Sequence, residues 1–222
     1  MSVRMRTLPH VRSAARRQLR ERVKARWPTV LLTLVSILQA LALETLWSEL
    51  TEEGELAAGG VEALVVGLQA CGAFLAIILI WVFYAQLVMR FVWVPGLRDS
   101  VAPFMLGAIQ FLVAETLGAG PVGFWIVLIA IAFAIAHVVT RHTFARAAAT
   151  SENAEFFAGV VEGPLVSHGP TIGAIALLLI VAGLSEFVGT PAASVAALIC
   201  VNGVLVFHLV MQRRYWHMSL AP

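Results

Sequence analysis

Long apolar stretches alternate with short polar segments along the chain. Each stretch is close to the ~20 residues that a helix needs to cross the hydrocarbon core of a bilayer. The stretches cover residues 28–47, 63–89, 101–118, 121–140, 170–187 and 191–211. The pattern therefore predicts an all-α polytopic membrane protein with six transmembrane helices.

The Lys and Arg residues lie on one set of the connecting segments. Nine of the fifteen precede the first stretch, from Arg4 to Arg26, and the other six follow even-numbered stretches. Acidic residues follow the first stretch instead, at Glu49, Glu52, Glu53, Glu55 and Glu62. Because basic loops stay cytoplasmic, both the N-terminus and the C-terminus are expected in the cytoplasm. The expected location is the inner (plasma) membrane of the cell.

Composition agrees with a chain solvated by lipid. Hydrophobic residues make up 60% of the chain and charged residues only 13%, with a formal net charge of +2. The basic residues from Arg4 to Arg26 are expected to set the topology and to contact anionic lipid headgroups. The lipid bilayer is therefore the expected partner, and nucleic acid is not.

The chain divides into a basic N-terminal segment (1–27), a transmembrane domain (28–213) and a cytoplasmic tail (214–222). The basic segment has an amphipathic pattern, which predicts a helix on the inner membrane surface or a solvated extension of the first span. Pro28 predicts a break between segment and span. In the inner loop of residues 141–169, one or two interfacial helical turns are predicted around Phe156, Phe157, Val160 and Val161.

A repeat with an offset of 71 residues relates the outward-running stretches. The first ends Gln39-Ala-Leu-Ala-Leu-Glu44-Thr-Leu, and the third ends Gln110-Phe-Leu-Val-Ala-Glu115-Thr-Leu. We interpret the chain as three helical hairpins inserted in the same direction, which is a parallel repeat.

Three glutamates occupy matching positions near the outer ends of these stretches. Ionisable groups inside spans are costly and are therefore candidates for function. If the helices line a common axis, Glu44, Glu115 and Glu186 form an acidic mouth for cations or protons, accompanied by Gln39 and Gln110. Alternatively, each Glu reaches water by itself, or the Glu and Gln side chains join helices by hydrogen bonds.

A second set of polar residues lies in the inner halves of the even-numbered stretches. Gln86, His137 and His208 occupy matching places, and each is followed about one turn later by a cationic or amide residue. Arg90 follows Gln86 in this way, and Arg141 follows His137. Arginines near helix ends complement exposed carbonyls and reach the headgroups. The histidines could bond across helices or gate a pathway by titrating.

The sequence contains no motif for catalysis or cofactor binding. A haem site between the spans needs facing His pairs at matching depth, and His137 and His208 supply at most one such pair. No Cys/His cluster has metal-ligand spacing. Ser185 and His208 would lie roughly 20 Å apart along the membrane normal, which is too far for a catalytic dyad. We therefore expect no enzymatic activity, cofactor or metal.

These observations leave two classes of function. The favoured prediction is an ion pathway, for a cation or a proton, with an acidic outer mouth and an oligomeric assembly. The alternative is a non-catalytic scaffold or accessory subunit that docks on other membrane subunits. The almost wholly apolar middle of the spans suits the scaffold or a channel with a hydrophobic gate.

Overall fold

The computed structural model describes residues 9–52, 59–158 and 169–220 of the chain, and within these ranges it contains helices and no strand. The helices are α1 (Pro9–Glu52), α2 (Gly60–Arg90), α3 (Leu97–Glu115), α4 (Val122–Ala148), α5 (Ala154–Ala158), α6 (Gly169–Val188) and α7 (Pro191–Leu220). In this described part, six helices, all except α5, are long and apolar enough to cross a membrane. The prediction of an all-α protein with six such helices is confirmed.

Helix α1 contains 44 residues and continues through Pro28. The predicted break at Pro28 is therefore wrong, because a membrane helix can compensate for the backbone hydrogen bond that a proline removes. At ~1.5 Å per residue α1 is roughly 66 Å long, about twice the ~30 Å hydrocarbon core. Residues 14–22 are exposed on every face. The basic segment and the first span are therefore one continuous helix in the structure.

The contacts between the long helices close into a ring in the order α1, α3, α4, α6, α7, α2. The most extensive contacts join α4 with α6, which are consecutive long helices, and α2 with α7 and α1 with α3, which are not. Helices α2 and α4 also meet through side chains inside the ring, where the Trp125 ring lies against Gly72. The ring therefore depends on contacts between residues far apart in sequence.

Apolar side chains fill the centre of the bundle. Trp125, Ile126, Leu178, Leu198 and Val201 are almost completely buried there. The indole Nε1 of Trp125 donates to the backbone carbonyl of Val113 at 3.0 Å, which satisfies the polar atom of this large side chain. These side chains belong to one apolar core that joins the long helices.

A buried amide side chain, Gln39, and a half-buried one, Asn202, connect neighbouring helices. Gln39 donates from Nε2 to the carbonyl of Ile77 at 3.0 Å, and Asn202 donates from Nδ2 to the carbonyl of Leu68, also at 3.0 Å. Each bond joins two helices, so these amides stabilise the packing of the bundle.

A polar cluster fixes the connection between α2 and α3 against the end of α4. Asn153 accepts from the backbone N–H of Val92 at 3.0 Å and donates to its carbonyl at 2.7 Å. Asp99 accepts from the backbone N–H of Gly96 and from Arg146 Nη1, both at 2.6 Å. This cluster holds the connection in one conformation.

The predicted turns in the inner loop are present as a 3-10 turn, Ser151–Asn153, followed by α5. The rings of Phe156 and Phe157 on α5 pack against Phe91, with centroid distances of 5.0 Å and 5.6 Å. Val160 and Val161, which belonged to the same prediction, lie outside the described residues.

Candidate functional site

Helices α2, α4 and α7 finish at the same end of the bundle, which we call the basic end because of the arginines around it. These arginines are Arg90, Arg98, Arg141, Arg146, Arg213 and Arg214. A cavity of about 190 Å³ lies between α2, α4 and α7 at this end. A water molecule needs ~10–15 Å³ on this measure, so the cavity has room for roughly a dozen waters or one small ligand.

Each of the three helices contributes one pair of polar residues to the cavity wall. The members of a pair are four residues apart, so they lie on the same helical face. The pairs are Gln86 and Arg90 on α2, His137 and Arg141 on α4, and His208 and Gln212 on α7. The structure therefore brings together all five residues of the inner-half set, and it adds Gln212.

The rest of the wall is mainly apolar and extends towards the middle of the bundle. Its deeper residues are Ala76, Leu79, Ile80, Ile129, Ala132, Phe133, Ala136 and Leu205. On α2, Ala76 and Arg90 are fourteen residues apart, which corresponds to roughly 21 Å along the helix. The cavity is thus polar at the basic end and apolar towards the centre.

Arg90 is the most unusual of these residues. Its Nε and Nη2 atoms are buried and have no hydrogen-bond partner among the described residues. The guanidinium lies over the ring of Trp216, with its Cζ atom 5.7 Å from the ring centroid. No Asp or Glu is among the described residues that line the cavity. The cavity wall therefore contains a partly buried positive charge, and no carboxylate among the described lining residues balances it.

His208 adds a further unpaired nitrogen. Its Nδ1 lies 2.9 Å from the backbone carbonyl of Val204, which can only accept, so Nδ1 carries a proton. Its buried Nε2 has no partner among the described residues. The ring packs edge-on against Phe133 at a centroid distance of 4.8 Å. This nitrogen can accept a hydrogen bond or take up a second proton.

Gln86 completes the unpaired set. Its Nε2 donates to the backbone carbonyl of Gln212 at 3.2 Å, while its buried Oε1 has no partner in the described part of the chain. Of the other two residues in the set, His137 is half-buried and Arg141 is exposed. The cavity wall thus carries four unpaired polar atoms, on Arg90, Gln86 and His208.

The three glutamates at the other end have different surroundings. Glu44 and Glu115 are exposed and form no hydrogen bond or ion pair with a described residue. Glu186 accepts from the backbone N–H of Gly123 at 2.7 Å, so its carboxylate caps the start of α4. An anion at a helix N-terminus is a stabilising arrangement. Among the described residues, no contact joins one of these glutamates to another.

The glutamines that accompany the glutamates are both buried. Gln39 bonds to α2 as described above. Gln110 occupies the matching place on α3, but its Nε2 lacks a partner among the described residues. The two glutamines therefore share burial and differ in their hydrogen bonds.

From the sequence, Gln212 was recognised as the amide residue that follows His208 by one turn, but it was not included among the candidate site residues. The pair of Asp99 and Arg146 was missed because the two lie 47 residues apart. The only local signal was an acidic residue in the first turn of α3, where a carboxylate caps the backbone.

The described part of the chain is helical, and its six long apolar helices indicate a multi-pass membrane protein. No protein-family model matches the chain, and no curated protein or solved structure is significantly similar to it. Among the described residues, no group of three or more His, Cys, Asp or Glu side chains is placed to hold a metal ion.

Proposed function

We propose that this membrane protein binds an anionic ligand of the phosphate class in the cavity at its basic end, without acting as an enzyme. The observation that carries the proposal is the partly buried guanidinium of Arg90, of which two nitrogens have no described partner, in a cavity wall without a described carboxylate. Burial of a charge without a counter-charge is unfavourable. A bound anion would reduce that cost.

The chemistry of the wall suits phosphate oxygens. Guanidinium groups present N–H donors in a planar fork that fits two oxygens of one phosphate. Arg141 supplies a second positive charge on the facing helix. The unpaired Gln86 Oε1 can accept a hydrogen bond from a protonated phosphate oxygen, and the unpaired His208 Nε2 can accept or donate one.

The orientation of the helices in the membrane is also part of the proposal. The segregation of Lys and Arg supports a cytoplasmic location for the basic end, for both termini and for the cavity mouth. It also supports three hairpins inserted in the same direction into the plasma membrane. The basic extension of α1 would then lie among anionic headgroups on the same side of the membrane as the cavity.

The cation or proton pathway is a weaker proposal. Its support is the repeat that contains Glu44, Glu115 and Glu186, but these three exposed side chains make no described contact with one another, and Glu186 caps α4. Flux through the wild-type protein in liposomes, compared with that through a variant in which all three are replaced by Gln, tests it. A cation flux that falls in this variant and recovers the wild-type level at high salt would support an acidic mouth, because salt screens such charges.

The scaffold is a further alternative. Its support is that amides join helices, as Gln39 and Asn202 do. These bonds hold the protein's own helices together, so they account for stability and leave the unpaired atoms of the cavity unexplained. Docking on other membrane subunits, or on a second copy of the chain, stays an expectation.

Thermal unfolding in a non-ionic detergent tests the anion site. A ligand that binds only the folded protein raises its unfolding temperature in proportion to RT ln(1 + [L]/Kd). We expect inorganic phosphate or dodecyl phosphate to stabilise the wild type. The double variant Arg90→Gln with Arg141→Gln should lose this stabilisation, and Arg213→Gln, outside the cavity at the same end of the bundle, should keep it.

Sodium chloride at equal ionic strength is the control for general salt effects. Stabilisation of the double variant equal to that of the wild type, with both phosphate probes, would overturn the proposed function. Equal loss in Arg213→Gln would also contradict it, because the general positive charge of the surface would then explain the effect.

A further inference from the structure

We infer that the ligand is an amphiphile, a phosphate monoester carrying a single hydrocarbon chain, with its chain between α2, α4 and α7. The inference rests on the proposed anion site and specifies the ligand class. It follows from the way in which the cavity changes from polar to apolar along the membrane normal.

The three wall-forming helices show the same change. On α2 the wall runs from Ala76 through Ile80 and Phe83 to Gln86 and Arg90, at intervals of three or four residues. On α4 the wall runs from Ile129 through Phe133 and Ala136 to His137 and Arg141 and then reaches Phe144. On α7 it runs from Leu205 through His208 and Gln212 to Tyr215. One helical face on each helix therefore provides a hydrocarbon site continuous with the anion site.

A free phosphate would occupy only part of this cavity. It can reach the guanidinium groups at the basic end, but the deeper wall offers it Ile129, Phe133 and Leu205. Phosphate in that region would lose its hydration without gaining donors, which is unfavourable. A hydrocarbon chain fills the same space and gains the free energy of leaving water.

The charges of the wall also separate amphiphiles from one another. A choline headgroup carries a quaternary ammonium group besides its phosphate, and the arginines of the wall repel this positive charge. The described wall contains no carboxylate that would offset the repulsion. A phosphate monoester without an ammonium group meets no such repulsion.

A series of alkyl phosphates of increasing chain length tests the inference on the intact protein. Burying one methylene is equivalent to roughly a fourfold change in affinity. We expect the affinity of the wild type to rise with chain length by up to about this factor per methylene, and then to level off when the apolar part is full. Inorganic phosphate is the chainless member of the series.

Two variants separate binding of the chain from partition into the detergent. Ala136→Leu places a larger side chain in the apolar part of the wall, and Ala76→Leu does so at its deep end. We expect each to weaken long-chain alkyl phosphates by tenfold or more, since two or more methylenes lose their space. Binding of inorganic phosphate should stay unchanged, which also shows that the variant is folded.

The outcomes distinguish the two proposals. Suppose that inorganic phosphate binds through Arg90 and Arg141, and that affinity depends on chain length in the wild type no more than in Ala136→Leu and Ala76→Leu. The site then binds a free anion, and the inference is wrong. If no member of the series depends on Arg90 and Arg141, the proposed function itself is wrong. Dodecylphosphocholine binding as tightly as dodecyl phosphate would overturn the headgroup assignment.

Discussion

The side chain of Gln86 donates a hydrogen bond to the backbone carbonyl of Gln212, 3.2 Å away. This bond joins α2 to α7 at the basic end, within the wall of the cavity. It also uses the amide nitrogen of Gln86, so the oxygen Oε1 is the atom left without a described partner. One side chain thus contributes both to the packing of the bundle and to the polarity of the cavity.

Replacement of Gln86 by Met should affect both roles. We expect the free energy of unfolding to fall by about 1 kcal/mol, the typical contribution of a hydrogen bond between membrane helices. Binding of phosphate should weaken as well. Gln39→Met is the matched control, because it removes a similar bond, to Ile77, made by a side chain that does not line the cavity. It should cost a comparable stability and leave phosphate binding unchanged.

Cysteine labelling in intact cells should establish the topology. In a background without Cys71 and Cys200, a cysteine at position 51 should react with an impermeant reagent, and one at position 150 should react only after the membrane is opened. Thr51 lies at the acidic end of α1 and Thr150 follows α4 at the basic end. Labelling of position 150 from outside would reverse the proposed orientation.

Gly72 should be sensitive to any added side chain. A Cβ atom there would lie 2.8 Å from Cη2 of Trp125, a buried ring with little freedom to move. We expect Gly72→Ala to destabilise the protein by about 1–3 kcal/mol, the usual cost of overpacking. Gly203→Ala, where no atom lies within 4 Å of the new Cβ, is the control. It should be neutral or slightly stabilising. Equal unfolding temperatures for both variants would contradict the packing of α2 on α4.

Glu152 gives the protein a pH-dependent contact outside the spans. The hydrogen bond from Lys24 lowers the pKa of Glu152 to about 2 from an ordinary value of 4.5. Because the folded pKa is lowered, the contribution to stability is present above about pH 4.5 and is lost as the pH falls towards about 2. The wild type should therefore exceed Glu152→Gln in stability at neutral pH, by a small amount because the pair is exposed.

Unfolding of both proteins across the acidic range checks this expectation. The difference between them should shrink as the pH falls and should vanish at the acidic limit. A difference that grows on acidification would show that Glu152 is not paired with Lys24 in the folded protein.

The sequence predicted the helices because hydropathy over about twenty residues is a local property. It also predicted the polar pairs, because Gln86, His137 and His208 occupy matching places in their stretches, which the sequence alone shows. The order of helices in the ring was not predictable, because contacts such as those between α2 and α7 depend on residues far apart in the chain. The break predicted at Pro28 was wrong because a membrane helix can compensate for the backbone hydrogen bond that a proline removes.

The most direct test of the anion site is native mass spectrometry of the full-length protein, extracted and purified in a neutral non-ionic detergent. The account predicts that the wild type retains a phosphate-bearing amphiphile, or binds added dodecyl phosphate with one-to-one stoichiometry. It predicts that the double variant Arg90→Gln with Arg141→Gln retains neither, while Arg213→Gln behaves as the wild type. Equal loading of the wild type and the double variant would contradict the claim that these arginines hold an anionic ligand.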